Sequence, residues 1–463
     1  MVAASGCSSR GDDISRNGTQ TAATQPCGPL TTFADGKSPT ATRHVAIIGS
    51  NSDGDGSAGR PFRTIARAAK DITAGTEIRV HAGTYDGGTF LIGLTGTVDA
   101  PIWIVGAPGE RRPLIQGGNE GLHLIKPRYV IVQNLEIADT SDNGINVDDG
   151  EDVANAEAAR FVMFRDVDVH DTGRRPSGVA NCLKLAGVND LFVLDSRFAR
   201  CGNGPGSGAL GVDGVGVHRV NISFNTFRST GFGGVQVKGG SSDVDIRGNL
   251  FHDTGWRGVN MGGSTGGNFF RPPLPASSSS VEAARVRVSA NVFDGSETAA
   301  AFAGCVDCQF THNTVVDPAK WLLRILQETL EIGGRSFAHT ANGVIAGNIF
   351  FFRRADLNAG EDINVGADTD TRSFSLVRNL WYAHDDRAQS RPRVPAFQGK
   401  QTRSLIGVSP DFVDADAGDF HLKATSAAKA AGKSEFVSGV DFDRRCYATP
   451  PSLGAFELAA PVR

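Results

Sequence analysis

The sequence predicts an all-β chain wound as a parallel β-helix, a solenoid, and three observations lead there. One short phrase recurs along much of the 463 residues, its copies alternate apolar with other side chains, and glycine, at 58, is the commonest residue. The phrase runs YVIVQNLEI from 129, VNISFNTF from 220, VDIRGNLF from 244, VRVSANVF from 286, QFTHNTVV from 309, GVIAGNIF from 343 and SLVRNLWY from 375, with looser copies FVMFRDVDV from 161 and LFVLDSRF from 191. Glycine at this density without a collagen period suits a chain that turns often between short strands.

Alternation over a few residues argues strand, and an asparagine at one place in each copy argues that the chain bends the same way each time. Asn225 and Asn249 are 24 residues apart, and Asn291 and Asn313 are 22 apart. A coil of that length cannot bury its own apolar face, so it must stack on its neighbours. Asparagine suits the bend because it tolerates left-handed backbone angles and because stacked amides bond along the column. Leucine-rich repeats would need a leucine spacing that is absent, and propeller blades would be longer.

In chain order, residues 1–43 are polar and rich in Ser, Thr, Gly and Asp, and read as a tether. Within them Ala4-Ser5-Gly6-Cys7 resembles the cleavage box of a bacterial lipoprotein, in which the cysteine carries lipid. Six residues precede Cys7, none forming an export region, so lipidation and a chance match both stay open. Setting Cys7 aside leaves Cys27, Cys182, Cys201, Cys305, Cys308 and Cys446, an even six that allows three disulfides in an oxidising compartment. Cys305 and Cys308 form a lone C-x-x-C, read as a local disulfide or two buried thiols. The expected location is outside the cytoplasm: periplasm, outer membrane or extracellular space.

The domain proper is expected over 44–459. The stretch from Asp53 through Gly56 to Pro61-Phe62-Arg63-Thr64-Ile65-Ala66-Arg67-Ala68-Ala69, then Ile78-Arg79-Val80 and Gly83-Thr84-Tyr85, resembles the start of right-handed parallel β-helix proteins of the pectate-lyase-like superfold. That resemblance implies a turn, an N-terminal capping helix and a first coil. Ser409-Pro410-Asp411-Phe412, Phe420-His421-Leu422 and Gly454-Ala455-Phe456-Glu457 resemble the usual end. The superfold hosts lyases, hydrolases, epimerases, esterases and adhesins, so the resemblance speaks to fold more than to activity.

Charge narrows the partners. With 46 basic and 50 acidic residues the formal charge is −4, which disfavours nucleic acid and a membrane surface. No apolar run approaches the ~20 residues of a membrane-spanning helix, leaving a lipid on Cys7 as the one expected membrane link.

Function is expected where an insertion builds a wall and outward positions carry unusual residues. The widest interruption, about 262–285, contains GGSTGGNFFRPPLPASSSS, and Phe269, Phe270 and Arg271 in it suit a wall for a sugar chain. Strands before the repeated phrase align as GINVDDG, NCLKLAG, GVDGVGV, GVQVKGG and GVNMGG. Side chains alternate faces along a strand, so inward Val235 and Val237 put Gln236 and Lys238 outward. The same reasoning places Asn146, Asp148, Lys184, Asp213 and Asn260 on one exposed sheet. A solvated Lys238 paired with Asp213 is the bland alternative. Asp148 and Asp149, in an acidic run to Asp152, are candidates for Ca²⁺, which favours several carboxylate oxygens.

Lys238 followed by Arg257 nearly one coil later is similar to the arrangement in the chondroitinase B and alginate lyase family of β-helix enzymes. The resemblance implies Lys238 as the base that removes the proton beside a uronate carboxyl, and Arg257 as a neutralising or acid group. Lys184 is the cation expected to crowd Lys238. The family's Arg-His pair inside a strand is replaced here by Val259-Asn260-Met261. β-Elimination builds charge on the carboxylate, which Arg257, Gln236 or Asn260 would neutralise. The expected substrate is therefore an acidic polysaccharide. A glycoside hydrolase using paired Asp148, Asp149 or Asp213, and a non-catalytic carbohydrate-binding surface, are the alternatives.

Overall fold

The structure, a computed structural model, describes residues 27–174, 179–204, 206–275 and 279–458. Cys7, most of the expected tether and residues 276–278 of the insertion lie outside them.

Three long parallel sheets of 14, ten and 12 strands wind around one core, each strand pairing with its counterpart one coil on. The register follows the sequence phrase: Val220 lies beside Val244 and Val244 beside Val286, while Phe227 lies beside Phe251 and Phe251 beside Phe293. This stacking buries what a single coil leaves exposed. Phe198, Phe227, Phe251 and Phe293 form a column with ring centroids 5.2, 4.9 and 4.7 Å apart, and Phe350 and Trp381 stack at 4.2 Å.

The asparagines form a second column. Asn225, Asn249, Asn291, Asn313, Asn348 and Asn379 are 0–1% exposed. Each side-chain oxygen from Asn249 onward accepts both the backbone N–H and the side-chain N–H of the preceding asparagine, at 2.8–3.1 Å. The amide ladder is as expected, but the left-handed backbone does not fall on the ladder asparagines. The left-handed residue is the one before each ladder asparagine: Phe224, Gly248, Ala290, His312, Gly347 and Arg378. Asn134 alone of the seven adopts φ 54° and sits one position earlier in the turn. Asparagine is thus used for its amide, which satisfies buried backbone groups at the corner, rather than for its tolerance of positive φ.

A short helix, Ile65–Ala69, caps the first coils, with Thr64 accepting the Arg67 N–H at its N-terminus and Ile65 and Ala68 buried. The expected tether is packed from Cys27 onward. Phe33 meets the rings of Tyr129, Phe161 and Phe192 at 5.9–6.1 Å, beside a cluster of Trp103, Ile131, Met163 and Leu194 on the outside of the 14-stranded sheet. At the other end Phe412, Phe420, Leu422 and Phe456 cover Val292, Val316, Ile349 and Leu380 on the outside of the 12-stranded sheet. The six cysteines pair as Cys27–Cys446, Cys182–Cys201 and Cys305–Cys308.

Candidate functional site

The ten-stranded sheet carries the site. Its strands run in order Thr89–Ile92, Leu122–Ile125, Ile145–Asp148, Leu183–Ala186, Leu210–Val215, Gly233–Lys238, Arg257–Gly262, Ala300–Ala303, Leu323–Leu326 and Ile363–Val365. Apolar residues such as Leu122, Val147, Leu185, Val235 and Val259 point into the core, so the alternate residues form two outward rows. One row reads Phe90, His123, Asn146, Lys184, Asp213, Gln236, Asn260, Ala301 and Arg324. The other includes Ile92, Ile125, Asp148, Ala186, Val215 and Lys238.

A groove of about 910 Å³ lies over the first half of these rows, with Asp148, Lys184, Asp213 and Lys238 on its floor. Ser264, Thr265, Gly266 and Phe269 of the insertion form one wall, and Val179 and Asn181 belong to the other. Phe269 is 53% exposed.

The wall folds back along the helix and is held there by Arg271. Its guanidinium makes a two-point contact with the 1%-exposed Asp149, at 2.7 and 3.0 Å, across 122 residues of sequence. The path needs glycines at two turns: a Cβ on Gly216 (φ 60°) would lie 2.5 Å from the Arg271 Cβ, and one on Gly187 (φ 67°) 2.2 Å from Asp149 Oδ2. Glu282, fully buried, fixes the start of the wall by accepting from the Thr265 N–H and hydroxyl, the Gly239 N–H and the Thr329 hydroxyl at 2.7–3.1 Å.

Most groove charges are paired. Lys184 Nζ donates to Asp213 Oδ2 at 2.5 Å, so Asp213 belongs to Lys184 and not, as the bland reading had it, to Lys238. His123 lies between Asp148 at 2.5 Å and Glu120 at 2.8 Å. Burial opposes its charge, but the hydrogen bonds to Asp148 and Glu120 outweigh burial and push the imidazolium up to about 9. Burial likewise opposes the charge on Asp148, yet His123 and the Gly150 N–H hold its carboxyl below the usual range. Lys238 differs: its ammonium makes one hydrogen bond, to the Ser264 carbonyl at 3.3 Å, and no ion pair with any described carboxylate.

Several expected positions are placed elsewhere. Gln236 and Asn260 are outward and mutually bonded at 3.1 Å, but they are 5% and 1% exposed, covered where the chain passes Gly263. Arg257 does not reach the groove; it bonds Asn260 at 2.7 Å and Glu328 at 2.7 Å. Phe270 turns inward against Phe337 and is 2% exposed. Arg271 and Asp149 engage each other, and Asp148 is engaged by His123. Among the described residues no group of three His, Cys, Asp or Glu side chains is arranged to hold a metal.

The groove also contains residues that sequence reasoning passed over: His123, Asn143, Asn181 and Val179. His123 had a readable signal, since Leu122-His123-Leu124 has the same alternation as Leu183-Lys184-Leu185. The others stand on turns between coils, where no period marks them.

These features define a parallel β-helix protein with a walled groove on one outward sheet. Comparison with known families fixes the hand: residues 115–272, the coils bearing the groove, match the family described as right handed beta helix region. Among solved structures the chain is similar to pectate lyase Pel9A (17% identity, 91% of this chain and 97% of that one, TM-score 0.50). It is also similar to XylC in a complex with xylose (12% identity, 90% and 98% coverage, TM-score 0.52). At these identities the likeness concerns the fold. No curated protein matches the sequence significantly.

Proposed function

We propose that the protein is an exported enzyme that takes an acidic polysaccharide into this groove and cleaves it by β-elimination. The observation that carries the reading is Lys238, the groove cation without a partner among the described carboxylates, facing a wall that bears an exposed aromatic ring. An uncompensated cation marks where a ligand brings an acidic group or a labile proton. An amine acts as a base only in its neutral form, which exclusion of water by a bound sugar favours.

In the proposed step, neutral Lys238 removes the proton next to the uronate carboxyl. The C–H electron pair forms the new double bond, and the glycosidic C–O bond breaks with its pair passing to oxygen, which takes a proton from water. Charge on the carboxylate is met by Lys184, whose ammonium bonds Asp213 and has further N–H donors, and by the amide of Asn146. Arg257, engaged by Glu328, has no part. Similarity to a pectate lyase is compatible with this chemistry, and three disulfides support an oxidising, extracytoplasmic location.

One observation favours a second reading, hydrolysis of a neutral glycan. The groove's four cations, His123, Lys184, Lys238 and Arg271, are matched by four carboxylates, Asp148, Asp149, Glu151 and Asp213. Incubation with a panel of uronate and neutral polysaccharides separates the two. Elimination yields an unsaturated product with ultraviolet absorbance; new reducing ends without absorbance would establish hydrolysis, and binding with neither would leave a carbohydrate-binding surface.

A further inference from the structure

We infer that the groove takes its polysaccharide by a chain end, with the terminal unit at Lys238 and the preceding units trailing over Phe90. The inference rests on the carbohydrate reading above and adds the mode of attack.

One end of the groove is shut. Beyond Lys238 the outward face of the sheet is covered: Gln236 is 5% exposed, Asn260 1%, and Ala301 and Ala303 0%. A Cβ placed on Gly263 would meet the side chains of Asn260, Lys238 and Gln236 at 3.3–3.5 Å, so the chain lies directly on them. This stop is built firmly. Glu282 ties Thr265, Gly239 and Thr329 together in a fully buried network, and the Thr329 hydroxyl also reaches the Gly263 carbonyl at 3.4 Å. Small outward side chains at Ala301 and Ala303 leave room for that cover. A polymer threading the whole sheet would have to displace it.

Among the described residues the other end is open and apolar. Phe90 and Ile92 project from the first strand of the same two rows and are 54% and 72% exposed. The Phe90 ring lies 5.0 Å from the His123 ring, which lines the groove. Of the large apolar residues exposed among the described ones, four surround this groove: Phe90 and Ile92 at its mouth, Val179 and Phe269 on its walls. The apolar face of a pyranose stacks on such rings while its hydroxyls and carboxylates meet Asn146, Lys184 and Lys238. From the strand of Phe90 to the strand of Lys238 is five strand steps, about 24 Å, enough for several sugar units.

The test uses the whole protein with polygalacturonate and alginate, each fractionated by length. Calorimetric titration should give one protein per chain whatever the length, and Phe90→Ala should weaken long oligomers about tenfold while leaving the dimer unchanged. If the protein cleaves, one short product should dominate from the first minutes while viscosity scarcely falls. Several proteins bound per long chain, early collapse of viscosity with mixed products, or equal loss for dimer and long oligomers would overturn the inference. Should xylan bind in place of the polyuronates, the acidic reading fails, and the same count against xylan length decides the chain-end inference. Binding of neither chain type would overturn both.

Discussion

Two columns of polar side chains run along this helix, and they differ in kind. The asparagine column from Asn225 to Asn379 repeats one residue, buried, with every amide bonded to the next. The outward row from Phe90 to Arg324 changes residue at nearly every step, and its middle members lie in an open groove. Both are stacked by the same backbone spacing. Uniformity is what a structural column needs, because each coil presents the same corner with the same backbone groups to satisfy. Variety is open to the outward row, because its side chains have no repeated backbone groups to satisfy.

The contrast can be broken most sharply in the uniform column. Asn291→Ala removes the acceptor for both N–H groups of Asn249 and the donor to Asn313 and Ile246, leaving several buried groups unsatisfied. A loss of about 4 kcal/mol is expected in denaturant unfolding; a loss under about 1 kcal/mol would show that neighbouring coils close over the gap. Next comes the link between row and wall. Arg271→Ala strands the buried carboxylate of Asp149, with an expected cost of about 3 kcal/mol and faster proteolysis between 262 and 282, whereas Asp149→Ala/Arg271→Ala should recover part of it.

A smaller effect should come from His123. Its folded-state pKa, about 9, lies above the 6.5 of an unperturbed imidazole, so the stability it contributes is complete below pH 6.5 and is lost as pH rises through about 9. A contribution on the order of 2 kcal/mol is expected, read as the difference between wild type and His123→Gln across that window; a pH-independent difference would remove the imidazolium from the account. The smallest stability effect belongs to Lys238→Ala, within about 0.5 kcal/mol of wild type. Cleavage should be lost, and an unsaturated product formed at the wild-type rate would dismiss Lys238 as the base.

The same contrast explains how much could be read from the sequence. The asparagine and phenylalanine columns announce themselves by repetition, and with them came the parallel solenoid, the direction of Lys238 and the row from Asn146 to Asn260. The capping helix was legible in Thr64 to Ala69 because its signals are local. The groove was legible only in part. Arg271 meets Asp149 across 122 residues, and neither sits at a repeated position, so nothing in the letters tells that a wall turns back to cover Gln236 and Asn260. Arg257 shows the opposite fault: its spacing from Lys238 looked informative, but Glu328, the carboxylate it pairs with, lies 71 residues further on. The packing of residues 27–43 was hidden because a few apolar anchors such as Phe33 suffice to dock a segment whose composition is polar.

The Cys27–Cys446 bond has a consequence for how this molecule comes apart. A solenoid ordinarily fails by peeling, since each terminal coil has a neighbour on one side only. Here both ends are folded back along the outside and joined to each other, so the chain is a covalent ring from residue 27 to residue 446. Neither end can lift away without carrying the other, and a single cut in an exposed turn opens the ring without releasing a fragment. Damage of that kind nicks the molecule without dispersing it.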